Sequence, residues 1–192
     1  VIKKKSYDQI YAEHMYIWSA ISLDCMSKKH GLFLFDLENY NVHGGCTRYY
    51  FCHNKRFKRT KRCELFIKSE LQLGLNKNQT YMNFKHNIKK HSSDFFNLIN
   101  NLSKKGYNIC GYTAPAKSVT LINHSKIDIN LVEVIFDNTD SKIGKYFPGK
   151  SKIPIFSTNS FKNKNFDYVI LLAWNHKKEV LKKEYSYTKK NN

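Results

Sequence analysis

Tyr11, Glu13 and His14 fall within four positions of one another in the stretch DQIYAEHMYIW, Asp8 to Trp18. Each of the three can hold or pass a proton. Imidazole is the side chain best suited to proton abstraction near neutral pH. A carboxylate beside it can orient the ring and stabilise its cation. A tyrosine can donate a hydrogen bond to a developing oxyanion. The same residue types also suit a solvated polar loop, and spacing alone leaves both readings open.

Three further groupings have the chemistry of binding. GYTAPAK, Gly111 to Lys117, follows an apolar strand and opens a helix. A helix N-terminus presents free backbone N–H groups and a positive dipole end, so it can hold a phosphate. Pro115 suits the first helical turn, where its missing N–H costs nothing. Lys117 adds a point charge, and Tyr112 and Ala116 complete the candidate set. With Gly111 as its one glycine, the stretch also reads as an ordinary strand-to-helix turn. Asp137 closes the next strand, where an acidic residue can bind ribose hydroxyls or simply make a turn. HGGCTR places His43, Gly44, Gly45 and Arg48 before a strand. Paired glycines let backbone approach a ligand closely and Arg48 can meet a phosphate or carboxylate. A glycine turn with a surface arginine fits as well. Five cysteines occur and no pair has CxxC spacing. Free thiols are the simplest reading. Cys52, His53 and Cys63 match no common zinc pattern, so no metal is expected.

The elements that would position these groups follow from periodicity. Ser19 caps a helix over Ala20 to Lys29, ended by His30-Gly31. LFLFDLENY and CTRYYFCH read as an antiparallel strand pair. NKRFKRTKR has no apolar periodicity and reads as a linker. Two helices follow, the second a long amphipathic one in which Tyr81, Phe84, Ile88, Phe95, Leu98, Ile99 and Leu102 recur at roughly helical spacing. The remainder alternates: strand YNICGY, a helix to about Ser125, strand LVEVIFDN, a short strand KIPIFS, a buried strand FDYVILLAW and a closing helix. Strands separated by crossover helices imply a parallel α/β sheet.

The chain has 192 residues, 41% hydrophobic and 15% aromatic, enough to bury a core. Its formal net charge is +18, which attracts polyanions. The bias toward Lys, Asn, Ile and Tyr accounts for that charge without a nucleic-acid partner. The aromatics fall on core periodicities instead of alternating with arginines on an exposed strand. No apolar run of about eighteen residues exists, so no membrane span is expected. VIKKKSYDQIY has no apolar h-region, so no signal peptide is expected and a cytoplasmic location follows. The first residue is Val, which points to a piece of a longer chain.

Taken together, the segments resemble the C-terminal half of S-adenosylmethionine-dependent C-methyltransferases that act on nucleotide-linked keto-sugars. YDQIYAEH is similar to the family's tyrosine–x–glutamate–histidine motif. HGLFLFDLENYNVHGGCTRYY is similar to its histidine–glycine–glycine strand pair. GYTAPAKSVTLIN, FDNTDSKIGKYFPGKSKIPI and FDYVILLAWN resemble successive blocks of its C-terminal domain. Order and spacing agree over about residues 7–182, and several long motifs in one order outweigh any single one. This sequence departs at Thr113, where the family usually has glycine, at Cys46-Thr47 and at Thr139.

The resemblance implies an α/β fold: the end of a Rossmann-like methyltransferase domain over 1–55, a linker at 56–63, a helical segment and a second small Rossmann-like parallel α/β domain over 64–185, and a frayed tail at 186–192. It implies that the family's zinc domain and glycine-rich cofactor loop lie upstream, in a missing N-terminal half, and that this chain alone is inactive. It implies proton abstraction beside a ketone and methyl transfer to the enolate carbon. His14 would be the base, Glu13 would orient it, and Tyr11 would hold the sugar or the enolate oxygen; which of the three takes the proton stays open. The TAPAK turn and the HGG loop would hold the nucleotide-sugar. The alternative is a nucleotide-sugar binding or interaction module without chemistry of its own.

Overall fold

The computed structural model describes residues 1–42, 44–53 and 56–190. By compactness the chain forms two units, one of Tyr16–His86 and one of Val1–Met15 with Asn87–Asn192.

The smaller unit opens with α1 (Ala20–Lys29), capped as expected by Ser19 in a reciprocal capping box with Ser22. The next two free N–H groups of that helix end, on Ala20 and Ile21, donate to the Glu70 carboxylate at 3.0 and 2.9 Å. β1 (Leu32–Tyr40) and β2 (Cys46–His53) pair antiparallel, with a bulge between Leu34 and Asp36. α2 (Lys61–Gln72) and the start of α3 (Asn78–Lys104) follow. Ala20, Leu34, Leu37 and Cys63 form the core of this unit.

The basic stretch expected as a linker at 56–63 is tied into this unit. The Arg59 guanidinium reaches Asp24 at 2.5 Å and the Leu34 carbonyl at 3.1 Å. Arg62 pairs with Asp36 and Glu38, and Thr60 caps α2. Charged residues without apolar periodicity look like a linker in sequence, yet here two of them, Arg59 and Arg62, answer specific acceptors.

The larger unit is built on β3 (Ile109–Tyr112), β4 (Val134–Asp137), β5 (Ile155–Ser157) and β6 (Tyr168–Leu171), all parallel, in the order β5-β4-β3-β6. This is the α/β class the alternation implies. Side chains alternate across the sheet. Ile109, Ile135 and Ile155 point to one face, where α4 (Ala116–His124) and Phe95, Phe96, Ile99 and Leu102 of α3 cover them. Cys110, Tyr112, Val134 and Phe136 point to the other, against Phe161, Phe166 and Val180 of α5 (Lys177–Lys183). The expected stripe of α3 is corrected in part: Leu98 and Tyr81 are exposed, while Phe96 packs inward. Ser92, Phe95, Phe96, Ile99 and Leu102 share one face at spacings of three and four.

β6 is also corrected. The expected buried strand is a short edge strand with Tyr168 and Val169 exposed. The expected frayed tail holds α6 (Tyr185–Lys190), because the Tyr187 ring lies 4.3 Å from Phe161. Asn191 and Asn192 lie outside the described residues.

The neighbouring strands β3 and β6 send their connections to opposite faces of the sheet. β3 leads through α4 to β4 on one side, and β6 beside it leads to α5 on the other face. The carboxyl ends of β3 and β6 therefore form a topological switch point, where open parallel sheets place their ligands. Thr113 sits there with φ +68°, a left-handed conformation that strains a β-branched residue. Its hydroxyl accepts from the Ala173 N–H at 3.0 Å and donates to the Tyr112 carbonyl at 2.6 Å. The hydroxyl thus staples the ends of β3 and β6, which offsets the strain. Thr113→Gly trades one for the other and should change unfolding stability by less than about 1 kcal/mol. Thr113→Val keeps the strain and orphans the Ala173 N–H, so urea unfolding should show a loss of about 2 kcal/mol.

Candidate active site

The segment carrying Tyr11, Glu13 and His14 is held within the larger unit at three points, Tyr7, Asp8 and the Ile10 carbonyl. Tyr7 is buried, with its ring edge-on to His91 and His124 and its hydroxyl 3.4 Å from His91 Nδ1. Asp8, also buried, accepts from the Trp174 indole N–H at 2.6 Å. The Thr120 hydroxyl of α4 donates to the Ile10 carbonyl at 2.7 Å. The short 3-10 turn Tyr7–Gln9 is held between these points.

This geometry settles how the exposed His14 ring is oriented. His14 Nδ1 lies 2.8 Å from the Gln9 carbonyl oxygen. A carbonyl only accepts, so Nδ1 carries the proton in the neutral ring and Nε2 carries the lone pair. Nε2 lies 3.2 Å from the Tyr11 hydroxyl, which therefore donates to it. The two rings lie 4.2 Å apart at 37°. His14 is thus held in the tautomer that a base working through Nε2 requires. Its orienting partner is a main-chain carbonyl, and no hydrogen bond joins it to Glu13 among the described residues.

Tyr11 and Glu13 line a cavity of about 760 Å³, within the size range of small-molecule sites. Ala114 of the turn after β3 and Ala116, Thr120 and Asn123 of α4 form one side, and Lys142, Lys145 and Gly149 line it from the segment after β4. Lys142 donates to the Ala114 carbonyl at 2.9 Å and lies 3.7 Å from Asp137. Gly149 leaves room for Asn123: a Cβ there would meet the Asn123 amide oxygen at 2.0 Å.

The other expected binding residues have separate places. Ala116 lines the cavity and Pro115 is the N-cap of α4. Tyr112 faces the opposite side of the sheet and donates to Glu184 at 2.6 Å. Burial, then that bond, pushes its phenol well above the ordinary range. The Lys117 ammonium is bonded to Asn175 and lies 4.4 Å over the Trp174 ring. Gly111 lies inside β3, where a Cβ would meet Ile135 at 2.7 Å. Gly44, Gly45 and Arg48 belong to the smaller unit, with the Arg48 guanidinium 5.0 Å over the Tyr40 ring. His43 lies outside the described residues. Burial holds the Cys110 thiol up at about 12, and no group of three or more metal-ligating side chains occurs among the described residues.

Asp137 makes a turn contact on both carboxylate oxygens. It accepts from the Ala114 N–H at 2.6 Å and the Thr139 N–H at 2.8 Å. Each Asp137 oxygen thus already holds one backbone N–H, and Gly111, the one glycine of the strand-to-helix turn, faces a packed core instead of opening a backbone cradle for S-adenosylmethionine.

Sequence reasoning missed Asp8, Gln9, Thr120 and Lys142. Gln9 acts through a carbonyl that every residue possesses, so its type carries no signal. Lys142 lies within the FDNTDSKIGKYFPGK block, where charge alone does not separate it from its neighbouring lysines.

Comparison with known proteins adds an independent line. The profile of the family described as the C-methyltransferase C-terminal domain matches residues 41–192. Over 185 residues the chain is 27% identical to the C-methyltransferase NovU of Streptomyces niveus. The match covers 96% of this chain and 44% of that relative. Among the described residues no helix is long and apolar enough to cross a membrane.

Burial raises the Asp137 pKa, but hydrogen bonds from Thr139 and Ala114 and the nearby Lys142 charge outweigh it and leave the group below its ordinary carboxylate value. A carboxylate with a lowered folded pKa contributes stability that is present above its unfolded pKa and lost as pH falls through the folded one. Asp137→Ala should therefore cost about 2 kcal/mol at neutral pH. Its unfolding free energy should also fall less than that of the unmodified protein as pH drops below about 4.

Proposed function

The chain belongs to the C-methyltransferase C-terminal domain family, and from that premise we propose that it supplies the proton-transfer and substrate-holding part of a C-methyltransferase for a nucleotide-linked keto-sugar. The observation that carries this reading is the His14 imidazole, with Nδ1 on the Gln9 carbonyl and Nε2 on the Tyr11 hydroxyl, next to a cavity lined by Tyr11 and Glu13.

A hydrogen on the carbon beside a ketone is acidic because the carbanion left behind delocalises onto oxygen. In the proposed step a base takes that proton and the C–H bonding pair becomes the enolate. His14 Nε2 carries the lone pair for this, which accepts from the Tyr11 hydroxyl until the sugar C–H takes that place. Once Nε2 is protonated it no longer accepts, so the Tyr11 hydroxyl is released to donate to the enolate oxygen. Glu13 lines the same cavity and is the competing base. Lys142 and Lys145 add positive charge suited to the diphosphate of a nucleotide-sugar. S-adenosylmethionine supplies the methyl group when bound, and in this proposal residues other than those described hold it, so this chain alone does not methylate.

The proton step can be read without methylation. Incubated in D₂O with a nucleotide-linked keto-sugar, the chain should exchange the hydrogen beside the ketone, followed by NMR. His14→Ala should slow that exchange by about 100-fold or more while nucleotide-sugar binding persists. Exchange unaffected by His14→Ala would remove the role given to this residue. Binding with no exchange at all would favour the non-catalytic binding module. Tight S-adenosylmethionine binding by this chain in calorimetry would contradict the division of labour proposed for the donor.

A further inference from the structure

The His14 ring is held by the Gln9 carbonyl, so whatever fixes the Gln9 peptide fixes the ring. Gln9 lies between two anchored residues. On one side Thr120 donates to the Ile10 carbonyl. On the other, Asp8 accepts from the Trp174 indole N–H at 2.6 Å. Trp174 follows β6 and Lys117 follows β3, so the Asp8 carboxylate lies at the switch point of the sheet. Only 8% of Asp8 is exposed. Burying a carboxyl group against a neutral donor is costly, and an apolar residue beside the buried Tyr7 would hold the segment without that cost. Tyr7 thus supplies the apolar anchor, and Asp8 adds direction, since a bond to an indole N–H fixes the strand-proximal end of the turn at one angle. The Lys117 ammonium is bonded to Asn175 and lies over the same Trp174 ring; burial lowers its pKa, and the Asp8 charge opposes part of that shift.

We propose that Asp8, through Trp174, is a positioning residue: it fixes the Gln9 carbonyl that keeps His14 in the Nδ1–H tautomer with the lone pair on Nε2. The ring geometry stands on these contacts alone. Its value to catalysis rests on the base assignment proposed for His14. Lys117, expected from sequence to meet an anion, packs over the Trp174 ring of that pair.

The test is the imidazole ¹⁵N spectrum of His14 in the whole chain, together with the exchange assay. The unmodified protein should show the Nδ1–H tautomer. Asp8→Ala and Trp174→Phe should shift His14 toward the Nε2–H tautomer that a free imidazole favours. Exchange should slow by about 10- to 100-fold with the affinity for nucleotide-sugar little changed, a loss in turnover and not in binding. Asp8→Asn keeps an acceptor for the indole N–H and should restore most of both signals. If Asp8→Ala does not fold, Trp174→Phe decides the matter. An unchanged Nδ1–H tautomer in the folded variants would overturn the inference. A shifted tautomer in a protein whose exchange does not depend on His14 supports the positioning and overturns the base assignment instead.

Discussion

The arrangement depends on one constraint: parallel strands whose connections depart in opposite senses leave their carboxyl ends uncovered. At the ends of β3 and β6 the backbone must be closed by something other than a crossover helix. Here three devices close it. Thr113 staples the two strand ends through its hydroxyl. Asp137 takes the Ala114 and Thr139 N–H groups. The Tyr7–Gln9 turn lies over the top, held by Trp174 and Thr120. The candidate proton-transfer residues are carried along as a consequence, since Tyr11, Glu13 and His14 follow that turn within a few positions.

Much of the fold was legible because its signals are local. Ser19 before an apolar helix, Gly31 after it, and strands of β-branched and aromatic residues each declare themselves within a short window. Position in a sheet is not local. Phe166 to Trp174 is apolar enough for a central strand, yet β6 lies at an edge, and nothing in the run distinguishes the two. The basic stretch around Arg59 and Arg62 shows the same limit, because its partners Asp24 and Asp36 lie 35 and 26 residues away.

The site was legible in its chemistry and not in its support. Residue type marks Tyr11, Glu13 and His14 as proton carriers. It does not mark the Gln9 carbonyl, which does the orienting that a carboxylate was expected to do. Lys117 and Tyr112 lie next to each other in one motif but serve different faces of the sheet. A strand sends alternate side chains to opposite sides, so a motif that crosses a strand end is divided between two surroundings.

The central claim is that the Tyr11–His14 pair meets the reacting carbon of a keto-sugar in the cavity beside Lys142. A crystal structure of the chain with a nucleotide-linked keto-sugar tests it most directly. The claim predicts the carbon beside the ketone within about 3–3.5 Å of His14 Nε2 or the Glu13 carboxylate, with the ketone oxygen in reach of the Tyr11 hydroxyl. A sugar bound on the Tyr112–Glu184 face of the sheet, or in the cavity with its ketone turned away from all three residues, would contradict it.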